Sequence, residues 1–260
     1  MRANHHFRCL LIQPQLFWAD PAANRAQLEE QVRQQAMGCD LAVFPETFTS
    51  GFLGDIESGA EPMEGETLHW MKSLAAELDT VLCGSAAIAT KRGTVNRFLW
   101  VQPDGQVQFY DKRHLFSHGG EDRRYIAGTE RKVFNYRGWR ICPQVCYDLR
   151  FPVWCRNQDD YDMLVIVANW PHTRSIAWST LLRARAIENQ CYVIGVNRIG
   201  NDPRGLKYKG GSAVYDPLGK ACLDLGEEED SGNVLLDLDK MRSTRRLLPF
   251  QRDADDFRIT

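Results

Sequence analysis

Long apolar runs are missing from this 260-residue chain. None approaches the roughly 20 residues of a membrane-spanning helix, so no membrane partner is expected. An excess of one charge is missing too: 32 Lys and Arg stand against 34 Asp and Glu, a formal net charge of −2, with no long run of either sign. Phosphate binding needs a basic face, so nucleic acid is not expected as a partner. The first ten residues are polar and lack a secretory apolar core, which points to a soluble, cytoplasmic protein, with His5 and His6 in a disordered terminus. Cysteine is sparse, eight residues, well short of a disulfide scaffold. No Cys-x-x-Cys occurs, and Cys142–Cys146 is followed by no second ligand pair, so a structural zinc site is not expected. Linkers rich in Gly, Ser or Pro, repeats and low-complexity segments are all absent. One domain over residues 1–260, with a polar tail from about 240, is the reading. What remains is an ordinary globular composition, 43% hydrophobic, able to bury a large core without staples.

The order of elements begins as an α/β chain. Phe7–Gln13 is an apolar run that reads as a buried strand. Asp20-Pro21 reads as an N-cap and first helical residue, with Leu28, Val32 and Ala36 on one face of a helix to about Met37 and Gly38 as its stop. A strand is predicted at Leu41–Phe44, a helix at about 65–78 and a strand at Val81–Ala89. Further on the pattern changes to hairpins, 97–101 with 107–110 and 132–136 with 139–145. Met163–Ala168 and Cys191–Val196 are apolar strands around a helix capped by Ser175, and short strands follow at 213–215, 222–225 and 234–237. Parallel crossovers and hairpins together suggest two packed sheets covered by helices.

Three residues sit where predicted strands end: Glu46 after Leu41–Pro45, Lys112 after Val107–Tyr110 and Cys146 after Trp139–Val145. Ligands in open α/β sheets bind outside the carboxyl ends of strands. Taken singly, each has an ordinary reading: an exposed loop glutamate, a solvated lysine beside Asp111, a buried core cysteine. Taken together they supply a chemistry. A thiol attacks an acyl carbon if a base takes its proton, and a glutamate serves when burial raises its pKa. Negative charge then builds on the carbonyl oxygen, which an ammonium and a backbone N–H can stabilise.

The segments Val-Phe-Pro-Glu46-Thr-Phe, Tyr-Asp-Lys112-Arg-His-Leu-Phe and Cys146-Tyr-Asp-Leu-Arg-Phe-Pro resemble the nitrilase superfamily of carbon–nitrogen hydrolases, in that order along the chain. Further matches are Ala168-Asn-Trp-Pro171, Arg183-Ala-Arg-Ala-Ile-Glu-Asn189 and Gly211-Ser-Ala-Val-Tyr-Asp-Pro-Leu-Gly219. The chain departs from many relatives at Pro143 and Gln144, just before the thiol. Within the superfamily it is most similar to bacterial omega-amidases, which hydrolyse the side-chain amide of 2-oxoglutaramate and 2-oxosuccinamate. The resemblance implies a four-layer αββα sandwich of two mixed sheets flanked by helices, and a homodimer formed through helices. The helix after Ser175 and the tail around Leu247–Phe250 are the interface candidates.

By carry-over, Cys146 is the nucleophile that forms a thioester, Glu46 the base, and Lys112 with the Tyr147 N–H the oxyanion holder. A second carboxylate near the lysine is assigned to Glu121, ahead of Asp122. Phe116, Asn169, Trp170 and Tyr147 are the substrate-binding candidates; for Phe116 and Trp170 the pocket is favoured over a plain core role. A 2-oxo acid carries a carboxylate, for which Arg113, Arg150, Arg174 and Arg198 are all open. No step of this mechanism needs a metal or organic cofactor. Other substrates of the same triad (a nitrile, an N-carbamoyl amino acid, a deaminated peptide amide) stay open, as does a non-enzymatic thiol redox sensor.

Overall fold

The computed structural model describes residues 5–52, 59–255 and 257. The first part of the chain supplies β1 (His6–Gln13), α1 (Pro21–Gln35), β2 (Leu41–Val43), β3 (Glu61–Pro62), α2 (Glu66–Leu78), β4 (Val81–Thr90), β5 (Gly93–Val101) and β6 (Val107–Asp111). The second supplies β7 (Phe134–Tyr136), β8 (Trp139–Val145), α3 (Pro152–Cys155), β9 (Met163–Ala168), α4 (Ser175–Asn189) and β10 (Tyr192–Asn197). It closes with β11 (Ile199–Asn201), β12 (Lys207–Lys209), β13 (Ala213–Tyr215), β14 (Ala221–Asp224), β15 (Asp230–Asp237) and α5 (Leu238–Leu247).

Twelve of these strands form two mixed sheets, in the orders β15-β1-β2-β4-β5-β6 and β14-β13-β10-β9-β8-β7, while β3 pairs with β4 beside the first and β11 and β12 pair as a separate two-stranded sheet. Each mixed sheet is centred on three parallel neighbours, β1-β2-β4 in one and β8-β9-β10 in the other, with antiparallel strands outside. The alternation of side chains sorts one strand into two cores. Phe7, Cys9 and Leu11 of β1 and Met163, Val165 and Val167 of β9 meet between the sheets. Leu10 and Ile12 face outward onto Leu28 and Val32 of α1 and Met71 of α2. Leu164 and Ile166 face outward onto Trp178 and Leu182 of α4. Strands buried on both faces explain the uninterrupted apolar runs, and the result is the expected helix–sheet–sheet–helix order.

Differences from expectation cluster at ends and edges. His6 opens β1, pairing with Asp237, and His5 Nδ1 lies 2.8 Å from Asp239, so these two histidines are held in place and not disordered. Asp20 caps α1, accepting from the Ala23 N–H at 3.0 Å, but the helix stops at Gln35 and Gly38 turns the chain at φ +73°. Ser175 is the first helical residue of α4 and not its cap, because the 3-10 turn His172–Arg174 already leads into it. β4 and β5 form a long hairpin that the sequence reading left unpaired. β7 spans only three residues. β15 begins at Asp230, four residues before the predicted start, and its acidic, exposed edge is what disguised it as loop. The tail opens with a true helix, α5, capped by Asp237 and anchored by buried Leu238 and Met241. Among the described residues, no helix is long and apolar enough to cross a membrane.

Candidate active site

The carboxyl ends of β2, β6, β8 and β9 open toward one cavity. Past β2, the chain turns sharply through Thr47, at φ +41°, whose N–H donates to Ser85 Oγ of β4 at 2.9 Å. This turn drives Glu46 into the interior, fully buried, where the isolated reading of its sequence suggested an exposed loop. Lys112 leaves β6 with its N–H on the Asn96 carbonyl at 2.9 Å and is likewise buried. Its Nζ donates to Glu46 Oε1 at 2.7 Å and to both oxygens of Glu121 at 2.9 Å. Glu121 is the second carboxylate; Asp122 beside it is exposed. The other Glu46 oxygen accepts from the Asn169 N–H at 2.8 Å.

Cys146 follows β8 with φ +46°, a left-handed conformation that is strained for a side chain with a Cβ. The chain then enters the 3-10 turn Cys146–Arg150. Tyr147 is the second residue of this turn, where a backbone N–H has no acceptor within the turn itself. The buried Asp148 ties this turn to the lysine segment. It accepts from the Val145 N–H at 3.1 Å, the Tyr110 hydroxyl at 2.8 Å and the His114 N–H at 2.9 Å. The thiol therefore sits in fixed relation to Lys112, although their positions are 34 residues apart in sequence.

Burial dominates the electrostatics. It would by itself push the Lys112 ammonium down, but Glu121 and Glu46 outweigh it and hold the group well above its usual range. Burial pushes the Glu121 carboxyl up against the pull of Lys112, and Glu46 adds to the rise. Burial also lifts the Cys146 thiol well above its usual value; Glu46 adds to this and Lys112 opposes it. The resting thiol is accordingly protonated at neutral pH. Among the described residues, no group of three or more His, Cys, Asp or Glu side chains is placed to hold a metal ion.

The cavity measures about 450 Å³ with its open mouth and is lined by Glu46, Lys112, Cys146, Tyr147, Phe116, Asn169 and Trp170, with Phe52, Arg150, Pro171, Arg174, Leu206 and Tyr208. All four substrate-binding candidates thus border it. Trp170 is both wall and core: its ring centre lies 5.4 Å from that of Trp178. Asn169 is also a brace, its Nδ2 donating to the Glu46 carbonyl at 2.6 Å and to Thr47 Oγ1 at 3.0 Å. Of the four candidate cations, Arg150 and Arg174 line the cavity and two do not. Arg113 donates to the Gly128 carbonyl at 3.2 Å, and Arg198 is buried behind Tyr208, donating to the Ile199 and Leu16 carbonyls. Asn96 was missed by the sequence reading. Its Nδ2 donates to Glu46 Oε1 at 2.9 Å and Glu121 Oε1 at 3.1 Å, holding both carboxylates in place. Only its position inside a strand facing the site marks it, and an asparagine in a hairpin carries no such signal in sequence.

The carbon–nitrogen hydrolase family profile matches residues 11–246. An omega-amidase, YafV, of Yersinia enterocolitica is 46% identical over 95% of this chain and 96% of its own length. A 2-oxoglutaramate amidase of Bacillus subtilis is 30% identical, covering 92% of this chain and 93% of its own. Among solved structures, a CN-hydrolase superfamily protein of Xanthomonas campestris with an arsenic adduct in its active site superposes with a TM-score of 0.97 at 45% identity, over 99% of this chain and all of that one.

Proposed function

The chain belongs to the carbon–nitrogen hydrolase family and is an amidase, and from that premise we propose that it is an omega-amidase, releasing ammonia from the side-chain amide of small 2-oxo acids such as 2-oxoglutaramate and 2-oxosuccinamate. Cys146 is the nucleophile and Glu46 its base. Because the resting thiol is protonated, Glu46 takes the proton as sulfur attacks the amide carbon. Lys112 and the Tyr147 N–H stabilise the oxyanion that forms. Glu46 returns the proton to the departing nitrogen, so ammonia leaves and a thioester remains. Water, deprotonated by Glu46, attacks the thioester; the C–S bond breaks, the acid is released and the thiol recovers its proton. Glu121 acts on Lys112, keeping it charged and aimed, and Asn96 and Asn169 hold Glu46.

One observation carries this reading: a fully buried lysine bridges two buried carboxylates at the floor of a cavity that also contains a strained cysteine. Buried charge of this density is costly to desolvate, and functional sites are where such clusters are concentrated. We read residues 1–260 as one hydrolase domain working as a homodimer. Ile176 on α4 and Leu247 and Phe250 of the tail support the dimer, being 81%, 80% and 62% exposed. The proposed compartment is the cytoplasm, where a catalytic thiol stays reduced, with neither membrane nor nucleic acid as partner.

The test is ammonia release from 2-oxoglutaramate, simple nitriles and N-carbamoyl amino acids. The 2-oxo amide is expected to be turned over fastest, and Glu46→Gln and Cys146→Ala each to lose at least 1000-fold in kcat while keeping the native circular dichroism spectrum. No turnover of any 2-oxo amide by the native enzyme rejects the substrate assignment. Full activity in Glu46→Gln rejects the mechanism, and would favour a thiol that only senses redox state.

A further inference from the structure

The two oxyanion donors sit on separate segments, Lys112 just past β6 and the Tyr147 N–H just past β8, and the side chain of Asp148 joins them. Its Oδ1 accepts from the His114 N–H at 2.9 Å and from His114 Nδ1 at 2.8 Å. Its Oδ2 accepts from the Tyr110 hydroxyl at 2.8 Å and from the Val145 N–H at 3.1 Å. The carboxylate's acceptor positions are thus filled, and Nδ1 is the His114 nitrogen that carries the proton. Tyr110 and His114 lie two residues before and two after Lys112. Val145 stands three residues before Asp148, so its bond closes a ring around Cys146 and Tyr147. Such a ring supports the left-handed Cys146, at φ +46°.

Packing repeats the pattern. His114 stacks on Phe151 with ring centres 3.7 Å apart and planes at 7°. Phe151 meets Tyr147 at 5.0 Å, and Tyr147 meets Phe116 at 5.1 Å, both edge-on. Rings from the two segments therefore alternate. On its other flank the Lys112 segment is tied to Glu121, through Lys112 Nζ and the Phe116 N–H. A change in the separation of Lys112 and Tyr147 has to break bonds to Asp148. Apolar side chains could staple the segments without desolvating a fully buried carboxylate, but hydrogen bonds also set angles. An oxyanion needs that precision, since its donors must lie about 2.7–3.1 Å from it.

We infer that His114 and Asp148 are positioning residues for the oxyanion: they hold the Tyr147 N–H and the Lys112 ammonium at the separation that a tetrahedral intermediate on Cys146 requires. The inference rests on the assignment of those two donors above and deepens it.

The experiment separates the hydrogen bond from the stack at His114, whose side chain is 23% exposed, so that replacing it spares the core. His114→Phe keeps a ring on Phe151 and removes Nδ1; His114→Asn keeps an N–H near the Nδ1 position and removes the ring. In His114→Phe, kcat for amide hydrolysis is expected to fall about 10–100-fold with KM within about 2-fold of native, since a displaced donor costs less than a missing one. His114→Asn should recover most of this loss. Methyl methanethiosulfonate, which a thiol attacks at sulfur without forming an oxyanion, should label Cys146 at the native rate in both variants, as read by mass spectrometry of the Cys146 peptide. Butanal or succinic semialdehyde adds to the thiol through its carbonyl carbon and leaves a hemithioacetal oxygen in the oxyanion site. Protection of Cys146 from the label by these aldehydes should need about 10-fold more aldehyde in His114→Phe than in the native enzyme or His114→Asn. This arm needs no turnover, so it reads the inference even if the 2-oxo amide assignment fails. Loss of kcat in His114→Asn but not in His114→Phe would assign the role to the stack. Equal loss of labelling and turnover would assign it to the thiol's own conformation. Either result, native kcat in both variants, or no protection of the native enzyme by either aldehyde overturns the inference.

Discussion

Lys112 makes three short contacts, to Glu46 and to both oxygens of Glu121, and all three side chains are buried. Its removal would leave two carboxylates facing each other in a desolvated site. Lys112→Met is therefore expected to cost about 3–5 kcal/mol at pH 7. The sign of the pH dependence follows. With the lysine gone, the pull that opposes burial is lost and the Glu121 carboxyl, already raised, moves further above its unfolded value of about 4.3. The penalty is then absent below that pH and grows as pH rises through the folded values. Thermal unfolding should show a smaller gap between variant and native protein at pH 5 than at pH 8. Equal gaps would mean that the lysine serves packing and not charge. Glu46, Lys112 and Cys146 were legible only as a set, three complementary groups each just past an apolar run, in segments whose order resembles a known family. Asn96 was not, since an amide inside a strand becomes informative only when its neighbours across space are known.

At the scale of elements, the site depends on how closely α4 lies on the second sheet. Gly195, in the middle of β10, lets it approach. A Cβ there would fall 2.4 Å from Leu182 Cδ1 and 3.0 Å from Trp178 Cζ2. Leu182 can rotate away, but the buried Trp178 is held by its Nε1 donating to the Gly211 carbonyl at 2.8 Å. Gly195→Ala is thus expected to destabilise by about 1–3 kcal/mol in urea unfolding. Because Trp178 packs on the cavity wall Trp170, the same variant should also raise KM for the amide substrate. A neutral effect on both would show that the helix has slack. Strands with both faces buried were readable from their apolar runs, and helices from apolar residues recurring on one face. Edge strands such as β15 were not, because one face looks outward and carries acids, and propensity there is weak.

At the scale of the whole molecule, four layers stack with their cores between them, and the outer face of α4 is left with Ile176 and Ile187, 81% and 50% exposed. The tail lies beside it: Gln190 Nε2 donates to the Leu248 carbonyl and Gln251 Nε2 to the Asn189 carbonyl, both at 2.7 Å. If this face joins two copies as proposed, a charge placed on it should separate them. Ile176→Glu with Phe250→Glu is expected to sediment as a monomer of about half the native mass. A native protein that already sediments at 29.8 kDa would remove the dimer from the proposal.

The sequence by itself determined the candidate reactive groups and most of the layers, because side chains are identified by type and buried strands by unbroken hydrophobicity, both local properties of the chain. Tertiary structure alone decided which polar groups share the cavity. It brought Asn96 and Asn169 onto Glu46, and it withdrew Arg113 and Arg198 from the cavity while leaving Arg150 and Arg174 at its wall. It also showed that the thiol is raised, and not lowered, by its surroundings. The reason is physical: the burial, distances and partners that fix a charge's behaviour arise between segments far apart in sequence, and they exist only once the sheets have closed on each other.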